Sequence, residues 1–171
     1  MKNYDIIVIG FGKAGKTLAV KAANLGKKVA VIEKSAQMYG GTCINVGCIP
    51  TKKLVNLSKE AQYVNNNVAG EYFTLSVEKK DKLISALRAK NFAMLDGNAN
   101  VDVINGTAKF VDKNSVEVAA TDSSKSVLTA PTIVINTGSI NEKPNFEVSS
   151  NLAFDSTGIL NLKTLPKRLA A

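Results

Sequence analysis

Short unbroken apolar runs and longer stretches with helical apolar spacing alternate along the first third of the chain. Asp5-Ile6-Ile7-Val8-Ile9 is mostly β-branched and lacks alternation, the pattern of a strand buried on both faces. A glycine-rich turn follows. Lys16 to Leu25 then carries Leu18, Ala19, Ala22, Ala23 and Leu25 at helical spacing, with Gly26 as its stop. Val29 to Ile32 is a second buried strand. Residues 1–33 therefore read as a βαβ unit, which implies parallel strands and a right-handed crossover.

Residues 35–50 are irregular and glycine-rich, and a helix is expected to begin near the cysteines and run into the early sixties. Asn65-Asn66-Asn67 breaks it. A further helix is expected from about Glu78 to Leu95, with Leu83, Ile84, Leu87 and Met94 on one face. After Gly97 the period becomes two. Val101, Val103, Gly106, Ala108 and Phe110 read as one strand, Asp112-Lys113-Asn114-Ser115 as a hairpin turn, and Val116 to Ala119 as the return. Val127-Leu128-Thr129 follows a polar stretch. Thr132 to Asn136 reads as another buried strand, and 139–157 as loop. The fold class is α/β: a parallel central sheet plus a small antiparallel β-meander.

Composition narrows the functional classes. The 171 residues are 45% hydrophobic and 21% charged, as in a globular domain with a real core. No apolar run reaches the roughly 20 residues of a membrane helix. The N-terminal residues carry no signal-peptide pattern, so the expected compartment is the cytoplasm. The net charge of +8 comes from scattered lysines, with only 6% aromatic residues. Solvated lysine faces account for it better than a nucleic-acid surface. Two cysteines and no histidine fall short of a usual zinc ligand set.

Gly10-Phe11-Gly12-Lys13-Ala14-Gly15 is a G-x-G-x-x-G between a buried strand and a helix. Gly10 permits the tight turn, Gly12 lets the backbone approach a pyrophosphate, and Gly15 lets helix and strand pack closely. Free N–H groups and the helix dipole at that end attract the anion. Glu33, at the end of the second strand, is placed to accept hydrogen bonds from ribose hydroxyls and to repel a 2′-phosphate. This unit alone does not decide between FAD and NAD.

Cys43 and Cys48 form a C-x4-C. On a regular helix such residues are separated by about 7.5 Å of rise, whereas a disulfide needs Cα atoms within about 7 Å. A bridge would need an irregular turn, which Gly47 and Pro50 are suited to provide. A constrained bridge would be readily reduced, and a nearby helix start favours the thiolate. Two reduced, buried cysteines packed as small hydrophobes remain the alternative on spacing alone.

The stretch Gly40-Gly41-Thr42-Cys43-Ile44-Asn45-Val46-Gly47-Cys48-Ile49-Pro50-Thr51-Lys52 closely resembles the active-site motif of the class I pyridine nucleotide–disulfide oxidoreductases. That family includes glutathione reductase, dihydrolipoamide dehydrogenase and mercuric reductase. Gly106-Thr107-Ala108-Lys109-Phe110 resembles its adenine-side strand, and Thr137-Gly138-Ser139 its second FAD motif. The resemblance implies a Rossmann-like FAD-binding domain. Cys43 matches the interchange thiol, Cys48 the charge-transfer thiol, and Lys52 the lysine near flavin N5. The FAD contacts it implies are Gly10, Gly12, Lys13, Ala14, Gly15, Glu33, Lys34, Gly41, Thr42, Gly47, Lys52, Thr107, Ala108, Thr137 and Gly138. Electrons would pass from NAD(P)H through FAD to a Cys43–Cys48 disulfide, and on to a disulfide or small oxidant.

Gly10 to Leu18, Met38 to Asn45, Lys90-Asn91-Phe92 and Phe154 to Gly158 resemble one branch more narrowly: reactive-chlorine-resistance and hypothiocyanous acid reductases. Dihydrolipoamide dehydrogenase-type or mercuric reductase-type activity is the alternative. In the family a Leu-Pro-Lys segment like Leu165-Pro166-Lys167 leads into the NAD(P)H domain. Residues 1–165 are thus expected to be the FAD-binding domain, and 166–171 the start of the next. The family's C-terminal dimerisation domain, with its partner-supplied histidine and glutamate, has no counterpart among these residues. The full-length parent is expected to be a homodimer, and this chain alone an FAD-binding module without NAD(P)H turnover.

Overall fold

The computed structural model describes residues 2–63 and 65–170. Met1 and Ala171, the outer bounds of the two expected segments, lie outside the described residues. The chain divides into two compact units, Met1–Asn45 with Leu87–Gly138 and Val46–Ala86 with Ser139–Ala171.

The first unit holds every strand among the described residues. These are β1 (Lys2–Asn3), β2 (Ile6–Ile9), β3 (Val29–Glu33), β4 (Val101–Asn105), β5 (Thr107–Asp112), β6 (Ser115–Ala119), β7 (Lys125–Thr129) and β8 (Thr132–Ile135). A parallel four-stranded sheet has the order β4-β3-β2-β8. Helix α1 (Lys13–Asn24) connects β2 to β3, completing the expected βαβ unit. The second sheet, β1-β7-β6-β5, contains the antiparallel meander, with Asp112 opposite Ser115 at its hairpin. Lys2–Asn3 pairs in parallel with β7, so this sheet is mixed.

The period of two explains why β2 and the Val29 to Ile32 stretch of β3 are apolar. Val8, Val29 and Val31 face one core, with Phe11, Ala19, Ala22, Ala23, Tyr39, Leu95 and Val101. Ile7, Ala30 and Ile32 face the other, with Val116, Val118, Leu128 and Ala130 of the second sheet. Neither face meets water, so neither selects polar residues.

Three sequence expectations change here. The segment read as one strand from Val101 to Phe110 is two strands in different sheets. Gly106 is the crossing point: its N–H donates to the Glu33 carbonyl at 2.9 Å, and a Cβ there would stand 2.6 Å from the Ala119 carbonyl oxygen. Strand β8, read as buried, lies at a sheet edge with Ile135 68% exposed. Its apolar run reports strand propensity rather than full burial. Met94 is exposed, and Leu95 takes the core position instead.

The second unit contains α3 (Cys48–Ala61), the greater part of α4 (Ala69–Asp96) and the short α5 (Ser156–Ile159). Helix α3 ends ahead of the asparagine run, and Asn66–Val68 forms a 3-10 turn. Helix α4 begins nine residues before the expected Glu78. Its first turns carry aromatic residues of modest helix propensity, but Tyr72 hydrogen-bonds the Leu57 carbonyl and Glu60 of α3, both at 3.2 Å. Tertiary contact decides that boundary. Asp155 caps α5 through Gly158 N at 2.7 Å, so the expected loop ends in a helical turn. Among the described residues no helix is long and apolar enough to cross a membrane.

Candidate functional site

The glycine turn is built by backbone approach. Gly10 has φ +104°, a conformation that disfavours any side chain, and its N–H donates to the Ile32 carbonyl at 2.8 Å. A Cβ on Gly10 would sit 2.2 Å from the Asn136 carbonyl oxygen. A Cβ on Gly15 would meet Asn136 Nδ2 at 2.5 Å and Val8 Cγ1 at 2.7 Å. Gly15 thus serves the close helix packing expected of it. Gly12 is the N-cap of α1 and makes no side-chain cap. No acidic residue occupies the first turn, while Lys13 and Lys16 do. The first turn of α1 therefore carries no side-chain cap and no carboxylate that would compete with an anion.

Glu33 is held at the end of β3 by two backbone donors. Phe11 N donates to Oε2 at 2.8 Å and Ser35 N to Oε1 at 3.1 Å. Each carboxylate oxygen retains capacity for a further donor, as ribose hydroxyls would need. Gly106, one residue before Thr107 and Ala108, is tied to the Glu33 carbonyl, so the start of β5 is anchored at the same end of β3. Thr137 and Gly138 are exposed and follow Asn136 directly; Gly138 has φ +68°. Lys13, Ala14 and Lys34 are exposed. The uncapped helix start and the two-pronged carboxylate suit the diphosphate and ribose of a dinucleotide such as FAD.

Gly40 and Gly41, at φ +92° and +83°, form a second tight turn. Gly40 N donates to the Phe11 carbonyl at 3.1 Å, and a Cβ on Gly41 would come within 2.9 Å of Gly12 Cα. Helix α2 (Thr42–Asn45) starts from this turn and carries Thr42 and Cys43, both exposed.

In the second unit, Gly47 caps α3 with φ −131° and ψ −117°, an irregular backbone at the expected position. Thr51 donates to the Gly47 carbonyl through N at 3.2 Å and Oγ1 at 2.7 Å. Cys48 is the first residue of α3 and is exposed. Lys52, one turn later on the same face, is exposed as well. Exposure of both cysteines removes the alternative of two thiols buried as small hydrophobes.

Two participants, Asn136 and Arg88, carry no sequence signal strong enough to single them out, whereas Asn45 and Asn91 stand in stretches that carry the family resemblance. Asn136 Nδ2 donates to the Gly10 carbonyl at 3.0 Å. Asn45 and Arg88 join at 2.9 Å beside the Gly40-Gly41 turn. Asn91, buried on α4, accepts a hydrogen bond from Lys16 Nζ. Burial, followed by the charge of Lys13, holds the Lys16 ammonium below its ordinary value. The signal for Asn91 is the Lys90-Asn91-Phe92 stretch of the narrower resemblance, and its burial on α4 accounts for a polar side chain with internal partners. Asn136 lay inside what read as a simple strand.

The pyridine nucleotide-disulphide oxidoreductase family model matches residues 4–171. The chain is 43% identical to the probable pyridine nucleotide-disulfide oxidoreductase RclA of Escherichia coli, over 99% of this chain and 36% of that protein. It is 38% identical to a mercuric reductase of Lysinibacillus sphaericus, over 98% of this chain and 31% of that one. Identity to a dihydrolipoyl dehydrogenase of Bacillus subtilis is 39%, over 96% and 36% of the two chains. A solved Cu(II) complex of the HOCl-induced flavoprotein disulfide reductase RclA from Escherichia coli superposes with a TM-score of 0.88 at 42% identity, covering 97% of this chain and 36% of that one. The chain thus spans about a third of the length of these relatives.

Proposed function

The chain belongs to the pyridine nucleotide-disulphide oxidoreductase family, and from that premise we propose that it is the FAD-binding, thiol-bearing part of a flavoprotein disulfide reductase. The observation that carries the reading is the exposure of Cys43 and Cys48 within the family's Gly-Gly-Thr-Cys to Pro-Thr-Lys stretch. Residues 1–165 form the FAD-binding part and 166–171 begin the NAD(P)H domain of a homodimeric parent.

Gly10, Gly12, Lys13, Ala14 and Gly15 receive the diphosphate, and Glu33 with Lys34 the adenosine ribose. Thr107, Ala108, Thr137 and Gly138 complete the contacts of that half. Gly41, Thr42, Gly47 and Lys52 would hold the flavin half, and the Lys52 cation would favour negative charge on the reduced ring. When bound, FAD supplies a two-electron carrier between NAD(P)H and a disulfide.

Reduction of a Cys43–Cys48 disulfide takes two electrons and two protons and yields two thiols. The Cys43 thiolate then attacks a substrate disulfide sulfur, and one substrate thiolate leaves. Cys48, as thiolate, attacks Cys43 in the mixed disulfide, releases the second substrate thiolate and closes the intrachain disulfide. With hypothiocyanous acid the same two attacks release hydroxide and then thiocyanate. Likeness to the reactive-chlorine-resistance branch supports an oxidant of this kind. The 38% and 39% identities to mercuric reductase and dihydrolipoyl dehydrogenase support the second reading, an activity of either type. Turnover with NAD(P)H is assigned to a polypeptide of the relatives' length rather than to these 171 residues alone.

The test combines FAD titration with thiol counting. Added FAD is expected to shift its visible spectrum on binding. Diamide is expected to convert both thiols to one intramolecular disulfide that dithiothreitol reopens. A chain that leaves FAD unperturbed and keeps two titratable thiols after diamide would overturn the reading.

A further inference from the structure

Helix α2 is a single turn of four residues, too short to hold its own geometry. Its shape must come from what surrounds it, and the surrounding hydrogen bonds converge on Asn45. Asn45 Nδ2 donates to the Tyr39 carbonyl at 3.1 Å and to the Gly41 carbonyl at 2.9 Å. Its backbone N–H also donates to the Gly41 carbonyl, at 3.3 Å. Its Oδ1 accepts from Arg88 Nε at 2.9 Å. A guanidinium only donates, so Arg88 forces Oδ1 toward itself and the amide nitrogen toward the two carbonyls. Arg88 is half-buried, and its other arm donates to Gln37 Oε1, which fixes the guanidinium plane. The segment Gln37 to Asn45, with Cys43 inside it, is therefore closed by one residue of α4.

The far side of the turn is closed too. Gly40 N–H is tied to the Phe11 carbonyl, and Gly41 lies against Gly12. One turn along α4 from Arg88, Asn91 accepts from Lys16 Nζ while its own Nδ2 donates to the Leu87 carbonyl at 2.7 Å. Helix α4 thus holds the Cys43 turn through Arg88 and the first turn of α1 through Asn91.

We infer that Arg88 is a positioning residue for the interchange thiol: acting through the Asn45 amide, it sets the placement of Cys43 on which closure of the Cys43–Cys48 disulfide depends. This rests on the thiol chemistry proposed above. Loss of the clamp leaves both thiols intact but lowers the effective concentration of one toward the other.

The test is the equilibrium of this chain with a glutathione redox buffer, in which the dithiol plus one glutathione disulfide gives the intrachain disulfide plus two glutathiones. Acid quenching, alkylation and mass spectrometry count the two forms. Arg88→Leu and Asn45→Ala are each expected to lower the equilibrium constant for disulfide formation about tenfold, with the double variant no lower than either single one. Arg88→Gln, the milder change, is expected to lower it about threefold. Lys90→Leu removes a positive charge from the same helix away from this network and is expected to leave it unchanged. Far-ultraviolet circular dichroism establishes which variants are folded, and Arg88→Gln carries the test where Arg88→Leu is not. Wild-type disulfide formation with an unaltered constant in folded Arg88→Gln and Asn45→Ala overturns the inference alone. An equal loss in Lys90→Leu also overturns it, in favour of net charge. No disulfide in the wild type overturns the underlying thiol reading.

Discussion

The side chain of Asn136 donates to the Gly10 carbonyl at 3.0 Å, across a sequence separation of 126 residues. The end of β8 thereby braces the glycine turn that opens α1. The same Nδ2 is what a Cβ at Gly12 or Gly15 would strike, at 3.0 and 2.5 Å. Asn136→Ala removes the donor and leaves the carbonyl seeking water. The expected loss is about 1 kcal/mol, or roughly a 2–4 °C fall in melting temperature for a domain of this size. A melt followed by circular dichroism measures it, and an unchanged midpoint would show the brace to be idle.

The three glycines should not be equivalent. Gly10→Ala meets the carbonyl oxygen of Asn136 at 2.2 Å and carries a φ of +104°, so the cost combines a backbone clash with strain. Its expected destabilisation is about 3 kcal/mol or more. Gly15→Ala meets two packed side chains, Asn136 and Val8, and is expected to cost about 1–3 kcal/mol. Gly12→Ala, with one contact at 3.0 Å and φ −73°, is expected to be the mildest. Urea denaturation of the three variants gives the order. Gly12→Ala costing the most would contradict it.

Glu33→Gln tests the two-pronged carboxylate. Glutamine offers one acceptor oxygen, so either Phe11 N–H or Ser35 N–H loses its partner and faces an NH2 group. A stability loss of about 1–3 kcal/mol is expected, together with weaker FAD retention on gel filtration. Retention equal to wild type would place the ribose elsewhere.

Acid sensitivity should trace in part to Asp81. Burial pushes its carboxyl up, but hydrogen bonds from Lys80 and Lys163 and their charges outweigh this and hold it below the ordinary value of 3.8. Lys80 Nζ is nearly buried, 2.8 Å from Asp81 and 2.6 Å from the Leu160 carbonyl. Ionised Asp81 therefore favours the folded state. Its contribution is fully present above pH 3.8 and is lost as pH falls through the lower folded value. Asp81→Asn is expected to melt below wild type at pH 6, with the gap closing as pH falls below 3.8 and through the lower folded value. A gap independent of pH would mean the charge plays no part.

Local pattern by itself determined the βαβ unit, the glycine turn, the hairpin at Asp112–Ser115 and the presence of the cysteine motif. Strand and helix periods, glycine freedom and spacing are properties of neighbouring residues, so they show in the order of the chain. Only tertiary structure decided that Gly106 passes the chain between sheets, that β8 is an edge strand, and that α4 begins at Ala69. It alone brought Asn136 to Gly10, Arg88 to Asn45 and Asn91 to Lys16. Each of these is a hydrogen bond between side chains, or between a side chain and a carbonyl, far apart in sequence. Such a bond leaves no period or spacing behind, because its partner is chosen by the fold and not by the neighbours along the chain.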